Sequence, residues 1–453
     1  MKKTILLLCI LLSNLLAFAQ WNEVGGLNGL AANYSIRSIC ADAIGNVYAA
    51  GQFNNSKGYN YVAKWNGNTW KELASVSDSL NANGVIFSIC TDAVGNVYAA
   101  GDFVNSSGRN YVAKWNGTTW SELGGLNGLA ANGSIYSICS DASNNIYAAG
   151  YFINGNNIQY VAKWNGVNWS ELGGIGSFSP YLPASILTIC TDASGNLYAA
   201  GGFRNSLGNF YVNEWNGSSW GELGGMNSLK ANGAINSICS DGFGNIYAAG
   251  NFVDSNSYDY VAKFNGISWS ELGTGNNSLT TNWFIRTICV DAHGNVYAAG
   301  QFDNLSGVTY VAKWNGTNWS EMGGSNNTFA NYFIISLCLD AIGNLYAGGW
   351  FTNTSGNYYV AEFANASGIE KVASSNTLQL YPNPTNNTTA ITLTKAIDKA
   401  TIKLINLTGQ TIIEKHNQTG DHFNLDISQQ AQGIYFVEIR QADNVWRTKL
   451  VKQ

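Results

Sequence analysis

The chain repeats one unit of about 50 residues along most of its length, and this period constrains its fold more than any other feature. The clearest copy reads Ser88-Ile-Cys-Thr-Asp-Ala-Val-Gly-Asn-Val-Tyr-Ala-Ala-Gly-Asp-Phe103, and after a short gap Tyr111-Val-Ala-Lys-Trp-Asn-Gly-Thr-Thr-Trp-Ser-Glu-Leu-Gly-Gly125. Its cysteine recurs every 49 to 51 residues, at Cys40, Cys90, Cys139, Cys190, Cys239, Cys289 and Cys338. A fixed period in this range is typical of stacked or radial repeat proteins.

Each unit predicts four β-strands. In the clearest copy they cover residues 86–91, 97–103, 111–115 and 118–123. The segment Asp92-Ala-Val-Gly-Asn96 predicts a turn, because Asp bonds nearby backbone and Gly-Asn tolerates positive φ. Asn116-Gly117 predicts a tight hairpin between the last two strands. Four sequential antiparallel strands repeated around a circle describe an all-β propeller. A linear β-solenoid is the alternative, but its coils have shorter periods and its ends need caps.

The two ends of the repeat region complement each other. Seven units begin at Ile36, Ile86, Ile135, Ile186, Ile235, Ile285 and Ile334. The seventh unit lacks a fourth strand, whereas Trp21-Asn-Glu-Val-Gly-Gly26 resembles the end of a unit and has no unit before it. Pairing this N-terminal segment with the third strand of the seventh unit removes two open sheet edges. We therefore predict a seven-bladed β-propeller over residues 20–365, closed by an N-terminal strand.

Single units also resemble known propeller repeats. Asp192-Ala-Ser-Gly-Asn-Leu-Tyr198 resembles the NHL repeat, and Leu345-Tyr-Ala-Gly-Gly-Trp-Phe351 resembles kelch-type and Rax2-like units. The resemblance covers roughly residues 21–365, through short motifs that several propeller families share. It implies interaction or scaffold roles and identifies no ligand.

The N-terminus predicts export. Lys2 and Lys3, an apolar run over residues 5–16 and Ala17-Phe-Ala19 together predict a secretory signal peptide over residues 1–19. The apolar run is too short to span a bilayer comfortably, so no transmembrane segment is expected after signal cleavage. The formal net charge is −5 with 11% charged residues, and without a basic excess nucleic acid is not expected as a partner.

The cysteines are predicted to be free thiols in the core. Eight cysteines in an exported chain would ordinarily suggest disulfides. Cys9 leaves with the signal peptide, and the other seven occupy one equivalent position in seven repeats. Equivalent positions in a radial array are expected to lie far apart, so a small, buried, apolar role is favoured.

The repeat ends before the C-terminus. After a small-residue linker, 366–377, residues 378–453 resemble the type A C-terminal sorting domain of type IX (Por) secretion cargo from Bacteroidetes. The resemblance is carried by Leu378-Gln-Leu-Tyr-Pro-Asn-Pro384, Ala400-Thr-Ile-Lys-Leu-Ile-Asn-Leu-Thr-Gly-Gln410, Leu425-Asp-Ile-Ser428, Gly433-Ile-Tyr-Phe-Val437 and Lys449-Leu-Val-Lys-Gln453. Alternating apolar residues independently predict the strands of a small Ig-like β-sandwich. The resemblance implies passage across the outer membrane by the type IX machinery, to an extracellular or surface location. The sorting motif comprises Tyr381, Pro382, Asn383, Pro384, Gly409, Gly433, Tyr435, Lys449 and Lys452.

The residue types needed for catalysis are scarce. The chain has three histidines, two of them in the C-terminal domain, so no nucleophilic triad can be assembled in the propeller. Each unit has one Asp at a turn and one Glu on the outer strand, with third-strand lysines nearby. We interpret the Asp as a residue that bonds the backbone of its turn and the Glu as a solvated charge at the edge of the blade. Paired tryptophans beside each Asn-Gly turn favour packing between blades over sugar binding. We predict no catalytic residue, cofactor or metal, although Asp254, Asp259 and Asp303 leave calcium open.

Function is expected where the units diverge. In propellers the connections between blades and the loops between second and third strands emerge on one face, around the channel mouth. Aromatics and charges on this face make it a platform for a glycan or a protein. Its candidate ligand-binding residues are Tyr34, Arg37, Phe87, Tyr136, Tyr151, Tyr181, Trp283, Arg286, Tyr332 and Trp350. We expect a non-catalytic binding or adhesion module for polysaccharide or protein. A secreted polysaccharide hydrolase or lyase, or a purely structural surface protein, is the alternative.

Overall fold

The computed structural model describes residues 20–75, 78–173, 185–323, 329–364, 378–406, 411–441 and 444–452. The chain divides into two compact units, Met1–Ala364 and Asn365–Gln453. The predicted signal peptide and linker lie outside the described residues.

The described part of the first unit contains seven antiparallel sheets of four strands each, which we number blades 1 to 7. The first strands are Ile36–Ala41, Ile86–Thr91, Ile135–Ser140, Ile186–Thr191, Ile235–Ser240, Ile285–Val290 and Ile334–Leu339. The second strands are Val47–Gly51, Val97–Gly101, Ile146–Gly150, Leu197–Gly201, Ile246–Gly250, Val296–Gly300 and Leu345–Gly349. The third strands are Ala63–Trp65, Ala113–Trp115, Val161–Trp164, Asn213–Trp215, Ala262–Phe264, Ala312–Trp314 and Ala361–Phe363. The fourth strands of blades 1 to 6 are Trp70–Glu72, Trp120–Glu122, Trp169–Leu172, Trp220–Glu222, Trp269–Glu271 and Trp319–Glu321.

Blade 7 takes its fourth strand from the N-terminus, which confirms the predicted closure. Strand Trp21–Glu23 runs antiparallel to the third strand of blade 7, with Trp21 opposite Phe363. The Trp21 side chain is buried and stacks on Phe329, with ring centroids 4.2 Å apart. Short 3-10 helices follow the fourth strands of blades 7, 2, 4 and 5 at Gly26–Asn28, Gly125–Asn127, Gly225–Asn227 and Gly275–Asn277.

A ring of hydroxyl hydrogen bonds joins the seven first strands. The third residue of each first strand is Ser or Thr, and its hydroxyl oxygen accepts the backbone N–H of the fourth residue in the next blade. The pairs, at 3.1 to 3.3 Å, are Ser38–Ile89, Ser88–Ile138, Ser137–Ile189, Thr188–Ile238, Ser237–Ile288, Thr287–Leu337 and Ser336–Ile39. Because the last pair returns to blade 1, the array is a closed ring, which excludes the linear solenoid.

Tryptophans join neighbouring blades at the outer side. The indole N–H of Trp70 donates to the carbonyl of Val24 in the blade before it at 3.1 Å, and the Trp70 ring lies 5.8 Å from that of Trp65. The same donation recurs in blades 2 to 6, to Leu73, Leu123, Leu172, Leu223 and Leu272. In blade 7 the indole nitrogen of Trp21 is buried and has no hydrogen-bond partner among the described residues. The paired tryptophans therefore fix the stacking of one blade on the next.

The repeated carboxylates support turns and loops. In blade 1, Asp42 accepts the N–H groups of Ile44 and Asn46 and, through its other oxygen, the Tyr48 hydroxyl at 3.0 Å. The outer-strand carboxylate of blade 1 also bonds a loop, since Glu72 accepts a hydrogen bond from the side-chain amide of Asn55 at 3.2 Å. The lysine ammonium lies over a tyrosine ring in five blades, in the pairs Lys64–Tyr48, Lys114–Tyr98, Lys163–Tyr147, Lys263–Tyr247 and Lys313–Tyr297.

All seven cysteines of the described propeller are free thiols, but they lie closer together than a radial array suggested. Burial raises the pKa of Cys40, and the charges of Cys338 and Cys90 in the two flanking blades raise that pKa further. The first strands converge on the channel, which brings equivalent positions within electrostatic reach of each other. The raised pKa keeps these thiols protonated and unreactive.

The described part of the second unit is a five-stranded antiparallel sheet. Its strands are Leu378–Tyr381, Thr388–Asn406, Thr411–Asp426, Gly433–Gln441 and Asn444–Lys452. The long strand Thr388–Asn406 pairs with the first strand near its start, with Gly433–Gln441 near its end, and with Thr411–Asp426 along its length. Ile391, Leu404, Val437 and Leu450 lie fully buried in its core.

Candidate functional site

The second residue of every first strand lines one cavity at the centre of the ring. The strand register slips at this residue in each blade, for example between Ile36 and Ser38, so that Arg37 is left out of the ladder as a bulge. A bulge re-aims its side chain away from the sheet. The seven bulge residues enclose about 210 Å³, and we call this site the channel mouth: Arg37, Phe87, Tyr136, Leu187, Asn236, Arg286 and Ile335.

The loops before the first strands are held in register around the mouth. An asparagine in the loop bonds the backbone of the loop between the second and third strands of the same blade, as Asn33 does with Asn54 at 2.9 Å. The described counterparts are Asn83–Val104, Asn132–Ile153, Asn232–Val253, Asn282–Asp303 and Asn331–Thr352. The two loops therefore form one face, as predicted from the general geometry of propellers.

Aromatic side chains on this face are concentrated in three adjacent blades. Two residues before the first-strand isoleucine, blades 1, 6 and 7 carry Tyr34, Trp283 and Tyr332, which are 58%, 55% and 45% exposed. Blades 2, 3 and 5 carry glycine at the equivalent position, namely Gly84, Gly133 and Gly233. The repeat is therefore broken in a contiguous sector of the ring.

Aromatic residues of this sector form two groups of ring contacts, one in blade 7 and one in blade 6. The ring of Tyr332 stacks on Phe333 at 3.9 Å and lies nearly parallel to Trp350 at 6.1 Å. In the neighbouring blade, Trp283 makes an edge contact with Phe284 at 5.7 Å. We define the aromatic sector as Tyr34, Trp283, Phe284, Tyr332, Phe333 and Trp350. It is a partly exposed apolar patch next to the channel mouth, which is the kind of surface that marks interaction sites.

Two arginines flank this sector. The guanidinium of Arg37 lies over the Trp350 ring at 5.1 Å, and that of Arg286 lies 5.8 Å from the Phe284 ring. Each donates to one glutamine of its own blade, Arg37 to Gln52 at 3.4 Å and Arg286 to Gln301 at 3.2 Å. Burial lowers the pKa of both arginines, and the charge of Arg286 lowers the pKa of Arg37 further.

The other predicted residues lie around the opposite side of the mouth. Phe87 and Tyr136 meet edge to face at 5.5 Å. Burial raises the pKa of Tyr136, and the nearby Asp102 and Tyr151 raise that pKa further. Tyr151 is exposed, and Tyr181 lies outside the described residues. The structure thus brings Arg37, Phe87, Tyr136 and Arg286 together at the mouth, and it places Trp283, Tyr332 and Trp350 in the aromatic sector.

The sequence did not single out five residues of this site. Leu187, Asn236 and Ile335 complete the ring of bulge residues. Gln52 and Gln301 orient the arginines. Aligning the units on their first isoleucine would have identified all three bulge residues, since each is the residue that follows it.

Blade 5 departs from the repeat in another place. Six blades pair a loop asparagine with the outer-strand glutamate, but blade 5 has Asp254 opposite Glu271. The two line a separate cavity of about 470 Å³ together with Tyr260, Trp269 and Ser278. Burial and the charge of Asp254 raise the pKa of Glu271. Within the described ranges, no group of three or more His, Cys, Asp or Glu side chains is arranged to hold a metal ion.

The described sorting-motif residues lie in the first strand of the C-terminal sheet, in the segment after it and in the last two strands. Asn383 accepts the N–H of Val451 at 2.9 Å, and Thr389 donates to the carbonyl of Pro382 at 2.8 Å. The Tyr435 hydroxyl donates to Ala431 at 2.9 Å, and Lys452 pairs with Gly433 and bonds the carbonyl of Asn386. Tyr381 is exposed, Pro384 follows Asn383 through a cis peptide bond, and Lys449 is paired in the last strand. Gly409 lies outside the described residues.

Comparison with known proteins identifies the second unit. Residues 379–453 match the family model of the secretion system C-terminal sorting domain. No curated protein matches the chain. Among the helices of the described residues, none is long and apolar enough to cross a membrane.

Several solved structures resemble the chain at low identity. AofleA from Arthrobotrys oligospora is 12% identical, with a TM-score of 0.41 over 66% of this chain and 88% of its own. An ulvan lyase from a polysaccharide lyase family is 12% identical, with a TM-score of 0.45 over 74% and 94%. A puromycin-hydrolyzing peptidase of Mycobacterium tuberculosis is 10% identical, with a TM-score of 0.49 over 83% and 60%. None of these similarities bears on what this chain binds.

The matched domain settles where the protein goes. A sorting domain of this kind engages the type IX secretion machinery and marks its carrier for export. The chain therefore joins a seven-bladed β-propeller to a secretion system C-terminal sorting domain over residues 379–453, and it is exported to the cell surface or the extracellular space.

Proposed function

We propose that the propeller is a non-catalytic binding module that recognises a polysaccharide at the channel mouth and on the aromatic sector beside it. The observation that carries the proposal is the break in the repeat. Blades 1, 6 and 7 place exposed Tyr34, Trp283 and Tyr332 where blades 2, 3 and 5 have glycine. Exposed aromatic side chains grouped on one face are typical of interaction surfaces, so their presence there supports contact with a ligand.

The shape of the site favours a sugar over a flat protein surface. The mouth holds about 210 Å³, which is below the range of about 300–1,000 Å³ typical of small-molecule pockets. It therefore admits one ring or one substituent, and the remainder of a chain would lie across the aromatic sector. Aromatic rings offer planar faces to sugars in the same way as they do to other aromatic or aliphatic groups.

The titratable groups at the mouth favour binding without reaction. Besides the two arginines, the described bulge residues include one titratable side chain, Tyr136, and its raised pKa makes it a poor base near neutral pH. A hydrolase would need two carboxyl groups on either side of one bond. The Asp254–Glu271 pair lies in a separate cavity in blade 5 that does not include the bulge residues.

A glycan array tests this function directly. The native chain is applied beside a Trp283→Ala/Trp350→Ala variant, with Leu126→Ala, a fully exposed leucine after blade 2, as the matched control. We expect the native chain and the control to bind at least one glycan class, and the double variant to lose most of that signal. Absence of any glycan signal for the native chain, or equal binding by all three proteins, would contradict the proposal.

A further inference from the structure

We propose that Arg37 and Arg286 form an anion site at the channel mouth, which binds the carboxylate or sulfate of an acidic polysaccharide while its sugar rings lie on the aromatic sector. This inference rests on the proposed function and names its ligand class. The two arginines occupy the same bulge position in blades 1 and 6, which flank blade 7. Between them, blade 7 presents the apolar Ile335.

The two positive charges are not neutralised by the protein. Across the described part of the propeller, no carboxylate lies within salt-bridge distance of either guanidinium, and the four ion pairs found among the described residues all fall in the C-terminal domain. The Nε atoms of Arg37 and Arg286 are buried and have no hydrogen-bond partner. Two like charges held close together without a counter-ion destabilise the fold, which indicates that an anion compensates them in the bound state.

The surrounding contacts hold both guanidinium groups in place. Each arginine lies over an aromatic ring, Trp350 or Phe284, and donates one N–H to a glutamine oxygen. Gln52 is itself fixed by the Ser35 hydroxyl, which donates to the same oxygen at 2.7 Å. These contacts are neutral, so they orient the arginines and leave the remaining donors for a ligand. The planar donor fork of arginine matches carboxylate and sulfate oxygens.

The charge at the mouth is asymmetric. Asp102 lies on the opposite side, near Tyr136, where the Ser134 hydroxyl donates to it at 2.7 Å. An acidic substituent is therefore attracted towards blades 6, 7 and 1 and repelled from blade 2. The sugar rings of the same ligand then meet Trp283, Tyr332 and Trp350, which lie in that sector.

Calorimetric titration of the full chain with three soluble polymers tests the site. Polygalacturonate supplies carboxylates, dextran sulfate supplies sulfates, and dextran is the neutral control. We expect one of the acidic polymers to bind, with affinity that falls as salt rises. Arg37→Gln and Arg286→Gln should each weaken that binding about tenfold, since a charge-assisted bond is lost. Arg109→Gln, in an exposed loop of blade 2, removes the same charge and should change the affinity by less than about twofold.

The outcomes separate the two proposals. Dextran binding that depends on Trp283 and Trp350 but not on the arginines would overturn the anion site and leave the binding function standing. Equal binding of poly-L-glutamate would show that charge alone suffices and would overturn the acidic polysaccharide. No binding to any polymer or array glycan would overturn both. Melting curves of the arginine variants serve as the folding control, and because each variant relieves unpaired charge we expect no loss of thermal stability.

Discussion

The hydroxyl oxygen of Ser336 in blade 7 accepts a hydrogen bond from the backbone N–H of Ile39 in blade 1 at 3.1 Å. Ser336 and Ile39 are 297 residues apart in the sequence. Six equivalent bonds link the other neighbouring first strands, so this bond completes the ring.

Removing this hydroxyl should weaken the ring modestly. We expect Ser336→Ala to lower the free energy of unfolding by about 1 kcal/mol, because the backbone N–H of Ile39 loses its acceptor. Ser336→Thr should be nearly neutral, since blades 4 and 6 use Thr188 and Thr287 at this position. Denaturant titration measures both variants, and equal losses would show that packing rather than the hydrogen bond matters.

The closing strand should contribute strongly to stability. Trp21 is 5% exposed and contacts Phe329 and Phe363. We expect Trp21→Ala to lower the free energy of unfolding by about 3–5 kcal/mol, as other large-to-small changes in a core do, and to lower the melting temperature markedly. Leu27→Ala, at a fully exposed leucine six residues later, is the control and should leave the melting temperature unchanged. An unaffected Trp21→Ala variant would show that closure does not depend on this strand.

Restoring the repeat in blade 5 should stabilise the protein. Asp254→Asn replaces two facing carboxylates by the amide–carboxylate pair of the other blades. We expect this change to raise the free energy of unfolding by about 1 kcal/mol near neutral pH. The gain should shrink as the pH falls, because protonation of Glu271, whose pKa is raised, already relieves the repulsion. The reverse change in blade 6, Asn304→Asp opposite Glu321, should destabilise by a similar amount. Thermal melts at pH 5 and pH 8 measure whether the first variant is stabilised and the second destabilised.

A buried aspartate should make stability depend on pH. Asp259 is 5% exposed, one of its oxygens has no partner, and burial raises its pKa to about 6. Its counterparts Asn60 and Asn110 donate their amides to the carbonyls of Gly51 and Gly101. A carboxylate cannot donate in this way.

The sign of the effect follows from the raised pKa. The folded state holds the Asp259 proton more tightly than the unfolded state does. The ionised Asp259 carboxylate therefore destabilises the fold fully above pH 6, and this destabilisation disappears as the pH falls towards 4. We expect Asp259→Asn to stabilise the protein by up to about 3 kcal/mol at pH 8 and by little at pH 4. Unfolding experiments on the two proteins across this range measure the difference, and a pH-independent difference would contradict the assignment.

The C-terminal domain should be required for release. A chain without residues 378–453 should accumulate in the periplasm, because the sorting domain is what the type IX machinery recognises. Fusing the same residues to a periplasmic reporter should carry that reporter to the surface. Cell fractionation measures both proteins, and normal release of the truncated chain would refute the role of the domain.

The period and the half-repeats were enough to predict the blades, their number and the closing strand, because strand pairing follows from local alternation and from unsatisfied edges. The sequence did not predict the pairing of Asn55 with Glu72 or the position of Lys64 over Tyr48. These contacts depend on which loop reaches which strand, and composition does not contain that information. The juxtaposition of Arg37 and Arg286 likewise needed the ring to close, since 249 residues of sequence separate two side chains that the channel brings together.

The pairing of Trp21 with Phe363 also orders events in time. The partner of strand Trp21–Glu23 is the final strand of the propeller, Ala361–Phe363, so this pairing cannot form before residue 363 has been synthesised. Contacts between residues so distant in the sequence form slowly, because a long loop must close first. The propeller therefore becomes a closed ring only when all of its strands are present.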